Sequence, residues 1–106
     1  MRTDPLCSPS RAAILTGTFP HNHGLTDNSR LNTSTFHPVA EARTVNVWLQ
    51  QAGYDTMLAG KYMNGYHANG PNRWARYVPP GWSSFYGFQT VDFFGTAVNV
   101  NGVTKV

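Results

Sequence analysis

The sequence predicts an α/β fold in which a helix leads into a buried strand of a parallel sheet. Apolar side chains within 44–52 recur at the i, i+3, i+4 and i+7 positions of one helix face; they are Val45, Trp48, Leu49 and Ala52. Thr44 can cap the start of this helix and Gly53 its end. The run at 54–59 is short and mostly apolar, which fits a buried strand of a parallel sheet. A helix followed directly by such a strand is typical of an α/β fold.

An earlier helix is predicted at 7–17, where both ends carry residues that favour helix termini. Ser8 is a good N-cap, and Pro9 suits the first helical position because its missing N–H costs nothing there. Gly17 can adopt the left-handed conformation that ends a helix. Residues 18–43 show no period and are rich in Pro, Gly, Asn and Thr, which predicts a loop.

The end of the chain predicts a β-hairpin near 96–106. Asn101-Gly102 is the strongest two-residue turn signal, and the residues before it alternate. Only four residues follow this turn, as expected of a truncated chain.

Composition and charge exclude several classes of function. The net charge is +3 and the eight Lys and Arg residues are scattered, so we expect no nucleic-acid partner. No stretch is long enough to span a membrane, and residues 1–6 lack the pattern of a signal peptide. The single cysteine excludes an internal disulfide.

That cysteine, Cys7, lies where the first helix begins, and Arg11 follows about one turn later. Free N–H groups and the positive end of the helix dipole predict a loop that attracts an oxyanion or a thiolate. The alternative is that Cys7 is a small buried apolar residue and Arg11 a surface charge. Cysteine phosphatase chemistry is disfavoured, because its loop needs a longer interval than the three residues between Cys7 and Arg11.

Two further groups of polar residues are candidates for binding. Lys61 lies at the carboxyl end of the predicted strand, where ligands bind in open α/β sheets, so it can meet an anionic substrate. The alternative is a lysine whose stem covers apolar surface while its ammonium stays in water. His21 and His23 are weak candidates for metal ligands, since no third ligand lies at a suitable spacing.

The run at 7–17 resembles the sulfatase signature, Cys-x-Pro-Ser-Arg followed by Leu-Thr-Gly. All of the defined positions match; they are Cys7, Pro9, Ser10, Arg11, Leu15, Thr16 and Gly17. The passage from a helix through Gly-Tyr-x-Thr and a strand to Gly-Lys is also similar to this family. The resemblance covers the whole chain and implies an alkaline-phosphatase-like sandwich with a mostly parallel central sheet. Sulfatase catalytic domains are several times longer, so 1–106 is expected to be part of one.

This resemblance implies a sulfuric ester hydrolase. Cys7 would be oxidised by a formylglycine-generating enzyme to formylglycine, the catalytic group and one ligand of the metal ion. Arg11 would steady this group, and Lys61 would bind the sulfate. The family's calcium ion is held by acidic residues, most of which are expected outside this chain. The substrate would be a sulfated sugar or an aryl sulfate, and the resemblance implies a secreted, periplasmic or lysosomal enzyme.

One position departs from the commonest family pattern. Many sulfatases read Gly-Lys-Trp-His after the strand, whereas this chain has Met63 at the histidine position, and methionine cannot transfer a proton. The form Gly-Lys-Tyr-x-Asn resembles the N-acetylglucosamine-6-sulfatase and arylsulfatase branch, so Asn64 is predicted to bind the substrate with a hydrogen bond.

Two other hypotheses stay open. The first is a phosphonate or phosphate ester hydrolase of the same superfamily, since the same chemistry can turn over at phosphorus. The second is an inactive, truncated fragment. The 106 residues alone are expected to be inactive because the acidic clusters that would hold calcium are missing from them.

Overall fold

The computed structural model of the chain describes residues 5–29, 36, 40–66, 76–89 and 92–106. Short helices precede a sheet in the order of the chain. The helical segments are α1 (Cys7–Thr16), α2 (Pro20–His23), a 3-10 helix (Glu41–Arg43) and α3 (Val45–Gln51). The strands are β1 (Met57–Lys61), β2 (Ser84–Phe88), β3 (Val98–Val100) and β4 (Val103–Lys105).

The sheet confirms the α/β prediction and combines two kinds of strand pairing. The strand order is β1-β2-β3-β4, in which β1 and β2 are parallel and the two later pairs are antiparallel. The antiparallel hairpin turns at Asn101 and Gly102, where both φ angles are positive, at 48° and 91°. These two residue types adopt that conformation readily, which is why the turn forms here. Asn101 also accepts the Phe85 N–H at 2.7 Å, which attaches the turn to β2.

Several sequence expectations about local structure were wrong in detail. The helix at 7–17 begins at Cys7 with Leu6 at its N-cap, so Ser8 lies inside the first turn and does not cap it. The expected loop at 18–43 contains α2 and the 3-10 helix. The strand expected at 54–59 begins at Met57, because the Tyr54 N–H still bonds to Leu49 O at the end of α3, and it continues to Lys61. It was expected to be buried, but its residues are exposed or half-buried, since β1 lies at the edge of the described sheet.

The apolar face of α3 is largely exposed in the described part of the chain. Trp48 is 54% exposed and Leu49 41%, whereas Asn46 and Val47 are buried. The reason is a close backbone approach at Gly81, where a Cβ atom would lie 2.6 Å from the Val47 nitrogen. The described residues therefore cover the side of α3 that carries Asn46 and Val47. They do not cover the side that carries the regularly spaced apolar residues.

The core lies between α1 and the sheet. Tyr62, Tyr66 and Phe85 meet edge to face, with ring centroids 5.6 to 6.0 Å apart, a favourable arrangement for aromatic rings. The buried cluster consists of Ala12, Leu25, Phe36, Tyr62, Met63, Tyr66 and Phe85. This cluster fixes the segment that directly follows β1.

Candidate active site

Cys7 is an exposed free thiol at the first residue of α1. The helix starts here because the Ser10 N–H bonds back to Leu6 O at 3.1 Å. It ends before Gly17, which adopts a left-handed conformation with φ 65°. The thiol is therefore accessible, and it lies at the positive end of the helix dipole.

Ser8 attaches the backbone beside Cys7 to two distant loops. The amide that joins Cys7 to Ser8 donates to Asn28 Oδ1 at 2.9 Å. The Ser8 hydroxyl oxygen accepts the Asn64 backbone N–H, also at 2.9 Å. Ser8 itself is fully buried, and both bonds are partly buried. Sequence reasoning missed Asn28, because an asparagine in a polar loop carries no signal that distinguishes it from its neighbours.

Arg11 and Lys61 are brought together although they are far apart in the sequence. Arg11 Nη1 donates to the backbone oxygen of Lys61 at 2.7 Å. Both side chains are half-buried and line a cleft of about 160 Å³ beside α1. The other residues of this cleft are Ile14, Leu15, Leu58 and Tyr62. The two cations that sequence reasoning selected thus share one cleft at the carboxyl end of β1.

Asn64 lies just beyond this cleft, in the loop after β1. Its backbone N–H is bonded to Ser8, and its side-chain oxygen is buried. Met63, which precedes it, is only 2% exposed and belongs to the core cluster. In the segment after Lys61, Met63 therefore packs in the core, whereas Asn64 contacts the first turn of α1.

A family model described as Sulfatase matches residues 1–100 of the chain. The chain belongs to the sulfatase family. Sulfatases are sulfuric ester hydrolases of alkaline-phosphatase-like fold, and the family generally carries a formylglycine and a metal ion. The mixed sheet and its covering helices are consistent with part of that fold.

Named relatives agree with this membership. The chain is 37% identical over 102 residues to the extracellular sulfatase Sulf-1 homolog of Caenorhabditis elegans, covering 94% of this chain and 13% of that protein. It is 35% identical over 105 residues to human N-acetylglucosamine-6-sulfatase, covering 94% and 19%. It is 49% identical over 57 residues to the N-acetylglucosamine-6-O-sulfatase of Bacteroides thetaiotaomicron, covering 54% and 9%.

The chain therefore spans less than a fifth of the length of each of these curated relatives. No solved structure matches it. Within the described ranges, no helix has both the length and the apolar character needed to cross a membrane.

The His, Cys, Asp and Glu residues of the described part of the chain are not clustered. Among these residues, no three His, Cys, Asp or Glu side chains come together. His21 is exposed and stacks on Phe19 with 5.7 Å between the ring centroids. His23 is buried, and its Nδ1 accepts the Leu25 N–H at 3.1 Å. Both histidines therefore have structural contacts that do not need a metal.

A larger cleft, of about 310 Å³, lies at the opposite end of α1 from the sulfatase cysteine. Thr16, Arg43 and Trp48 are among the residues that line it. It contains none of Cys7, Arg11, Lys61 and Asn64. We place the candidate active site at the smaller cleft, because Arg11 and Lys61 line it; Cys7 and Asn64 line neither cleft.

Proposed function

We propose that this chain forms part of an active site that hydrolyses sulfate esters, with Cys7 converted to formylglycine. The observation that carries the proposal is the 2.7 Å contact between Arg11 Nη1 and Lys61 O. It joins the helix that begins at the exposed cysteine to the strand that ends at the second cation. Attack at an anionic sulfuryl group requires a nucleophile and nearby cations. The helix and the strand would supply both.

Cys7 is suited to the modification because its thiol is exposed at the end of a helix. A formylglycine-generating enzyme must reach this side chain, so that enzyme is a proposed partner. Hydrated formylglycine supplies one hydroxyl that attacks sulfur as the alcohol leaves, and a second that expels sulfate when the aldehyde re-forms. An unmodified cysteine or a serine lacks this second route.

Arg11 and Lys61 would offset the negative charge on the reacting groups. The guanidinium of Arg11 has five N–H donors, of which Nη1 contacts the Lys61 carbonyl, so further donors are available to steady residue 7. Lys61 would bind the sulfuryl oxygens from the carboxyl end of β1. Positioned groups of this kind contribute about 3–4 kcal/mol of transition-state stabilisation each.

The relatives' names point to the substrate class and the compartment. Since two of them are named for N-acetylglucosamine and one is named extracellular, we infer a sulfated sugar as substrate and an extracytoplasmic location. Aryl sulfates would serve as activated substitutes. Asn64, which follows the Met63 that stands at the family's histidine position, would hydrogen-bond this substrate near the leaving-group oxygen.

Calcium is the metal ion that the family implies. No three His, Cys, Asp or Glu side chains cluster among the described residues, so residue 7 as formylglycine would be one ligand among several from elsewhere. The roles of Arg11, Lys61 and Asn64 depend only on their own positions.

The test is co-expression of the full-length protein with a formylglycine-generating enzyme. Peptide mass spectrometry should show a loss of about 18 Da at Cys7 as the thiol becomes an aldehyde. The modified protein should then hydrolyse 4-nitrophenyl sulfate, whereas Cys7→Ala should be inactive. An unmodified Cys7 beside a converted control sulfatase would overturn the proposal. Faster hydrolysis of 4-nitrophenyl phosphate or a phenyl phosphonate would instead favour a phosphorus ester hydrolase.

A further inference from the structure

A buried carboxylate joins three segments of the chain behind the candidate active site. Glu41 is only 3% exposed. The Tyr62 hydroxyl donates to its Oε1 at 2.8 Å, and the Tyr77 hydroxyl donates to its Oε2 at 2.6 Å. A carboxylate removed from water is tolerated only when hydrogen bonds replace its hydration. The two phenols therefore compensate for the burial of Glu41.

Tyr62 is the residue directly after Lys61. Its side chain is 2% exposed and packs edge to face against Tyr66 and Phe85. Tyr62 lies outside β1, which ends at Lys61, and a peptide bond joins the two residues. A tyrosine fixed in the core therefore restricts the backbone from which the Lys61 side chain extends.

The same segment also determines the position of Arg11. The Lys61 carbonyl that accepts the Arg11 guanidinium belongs to the peptide bond between Lys61 and Tyr62. A displacement of the Tyr62 backbone would move this carbonyl together with the Arg11 guanidinium that donates to it. The bond from the Tyr62 hydroxyl to Glu41 anchors the residue on one side of this peptide bond.

The phenols of Tyr62 and Tyr77 stay protonated over the ordinary pH range. Burial, and then the nearby Glu41 carboxylate, raise the pKa of Tyr62 well above its usual value. Burial and the hydrogen bond to Glu41 likewise raise the pKa of Tyr77. Both phenols therefore keep the protons that they donate to Glu41.

We propose that Glu41 and Tyr62 are positioning residues that set the directions of Lys61 and Arg11 in the cleft. Tyr77 completes the arrangement by holding the second carboxylate oxygen, and its own carbonyl accepts the Asn99 amide at 2.7 Å, which extends the network to β3. This inference rests on the proposed function, in that Lys61 is taken to bind the sulfate group.

The experiment compares three substitutions in the full-length protein, converted at Cys7. Tyr62→Phe removes the hydroxyl that bonds to Glu41 beside Lys61, and Glu41→Gln removes the charge and leaves one acceptor oxygen for the two phenols. Tyr66→Phe is the matched control, because Tyr66 is equally buried and its hydroxyl donates to Gly87 O at 3.1 Å, away from the cleft. We expect kcat/KM for 4-nitrophenyl sulfate to fall about tenfold in the first two variants and to change by less than about twofold in the control.

A double-mutant cycle separates positioning from a general structural role. In a Lys61→Met background the effect of Glu41→Gln should shrink to the part that acts through Arg11, because there is no ammonium left to direct while the Lys61 carbonyl remains. Equal losses in all three single variants, or additive losses in the cycle, would overturn the inference.

A structural measurement keeps the inference testable if the proposed function fails. If the unsubstituted protein hydrolyses no sulfate ester, the proposed function is wrong, and crystal structures of the variants then decide about positioning. Loss of the 2.7 Å contact between Arg11 and Lys61 in Glu41→Gln but not in Tyr66→Phe would support it. Retention of this contact in both variants would refute it.

Discussion

The Ser8 hydroxyl accepts the backbone N–H of Asn64 at 2.9 Å, across 56 residues of sequence. The bond joins the first turn of α1 to the loop after β1. Because the amide of Ser8 also donates to Asn28, three separate segments meet beside Cys7. The reactive residue is thus held through its neighbour, which leaves its own side chain exposed for chemistry.

Removing either hydrogen bond of Ser8 should destabilise the protein. Ser8→Ala leaves the Asn64 N–H without its acceptor, and an unsatisfied buried donor costs about 1–3 kcal/mol of unfolding free energy. Asn28→Ala should do the same for the Ser8 amide, whereas Asn28→Asp keeps an oxygen acceptor and should lose less. Urea unfolding of the full-length variants measures these differences. Stabilities equal to that of the unsubstituted protein would show that neither bond contributes.

Replacing Lys61 should affect catalysis far more than stability. Lys61→Ala should lower kcat/KM for sulfate esters by about 10² or more, since a positioned charge at the transition state is lost. Lys61→Met, which keeps the length of the stem, should lose nearly as much. Arg11 contacts the Lys61 backbone carbonyl, which both variants retain, so unfolding midpoints should hardly move. Full activity in Lys61→Met would exclude a role for the ammonium.

Asn64→Ala tests the step at which the alcohol leaves. If the Asn64 side chain hydrogen-bonds the leaving-group oxygen, its loss should slow hydrolysis of a sugar sulfate more than that of an activated aryl sulfate. The backbone N–H bond to Ser8 survives this substitution, so the loop after β1 should stay in place. The two substrates are compared by kcat/KM. Equal losses for both would place Asn64 outside this step.

Stability should decline at alkaline pH. Burial raises the pKa of Tyr66 to about 12, although a hydrogen bond with Asn99 lowers it somewhat. Unfolded tyrosine ionises near pH 10, so between the two values the unfolded chain releases a proton that the folded chain keeps. The unfolding free energy should therefore fall with rising pH, by up to about 1.4 kcal/mol per pH unit for this residue.

Tyr66→Phe should reduce that slope, and Tyr54→Phe is the matched control because Tyr54 is 64% exposed. Urea unfolding at several pH values above 9 gives both slopes. An unchanged slope in Tyr66→Phe would mean that the buried phenol is not responsible for the decline.

What the sequence by itself determined is short-range. A helix starting at Cys7 with Arg11 one turn later, and a turn at Asn101-Gly102, follow from residues that are adjacent in the chain. Local conformational preferences act over a few residues, so the sequence alone indicates these features. The family resemblance depends on the same local run and is confirmed by the match to residues 1–100.

Only the tertiary structure decided which distant groups meet. The contacts of Arg11 with Lys61 and of Asn28 with Ser8 bridge 50 and 20 residues, and nothing in the local sequence of either partner identifies the other. Ser8 shows the difference, because its residue type predicts a helix cap while its burial makes it a link between segments. Hydrogen-bond partners of buried polar groups are selected by packing, since each must find a partner once water is removed.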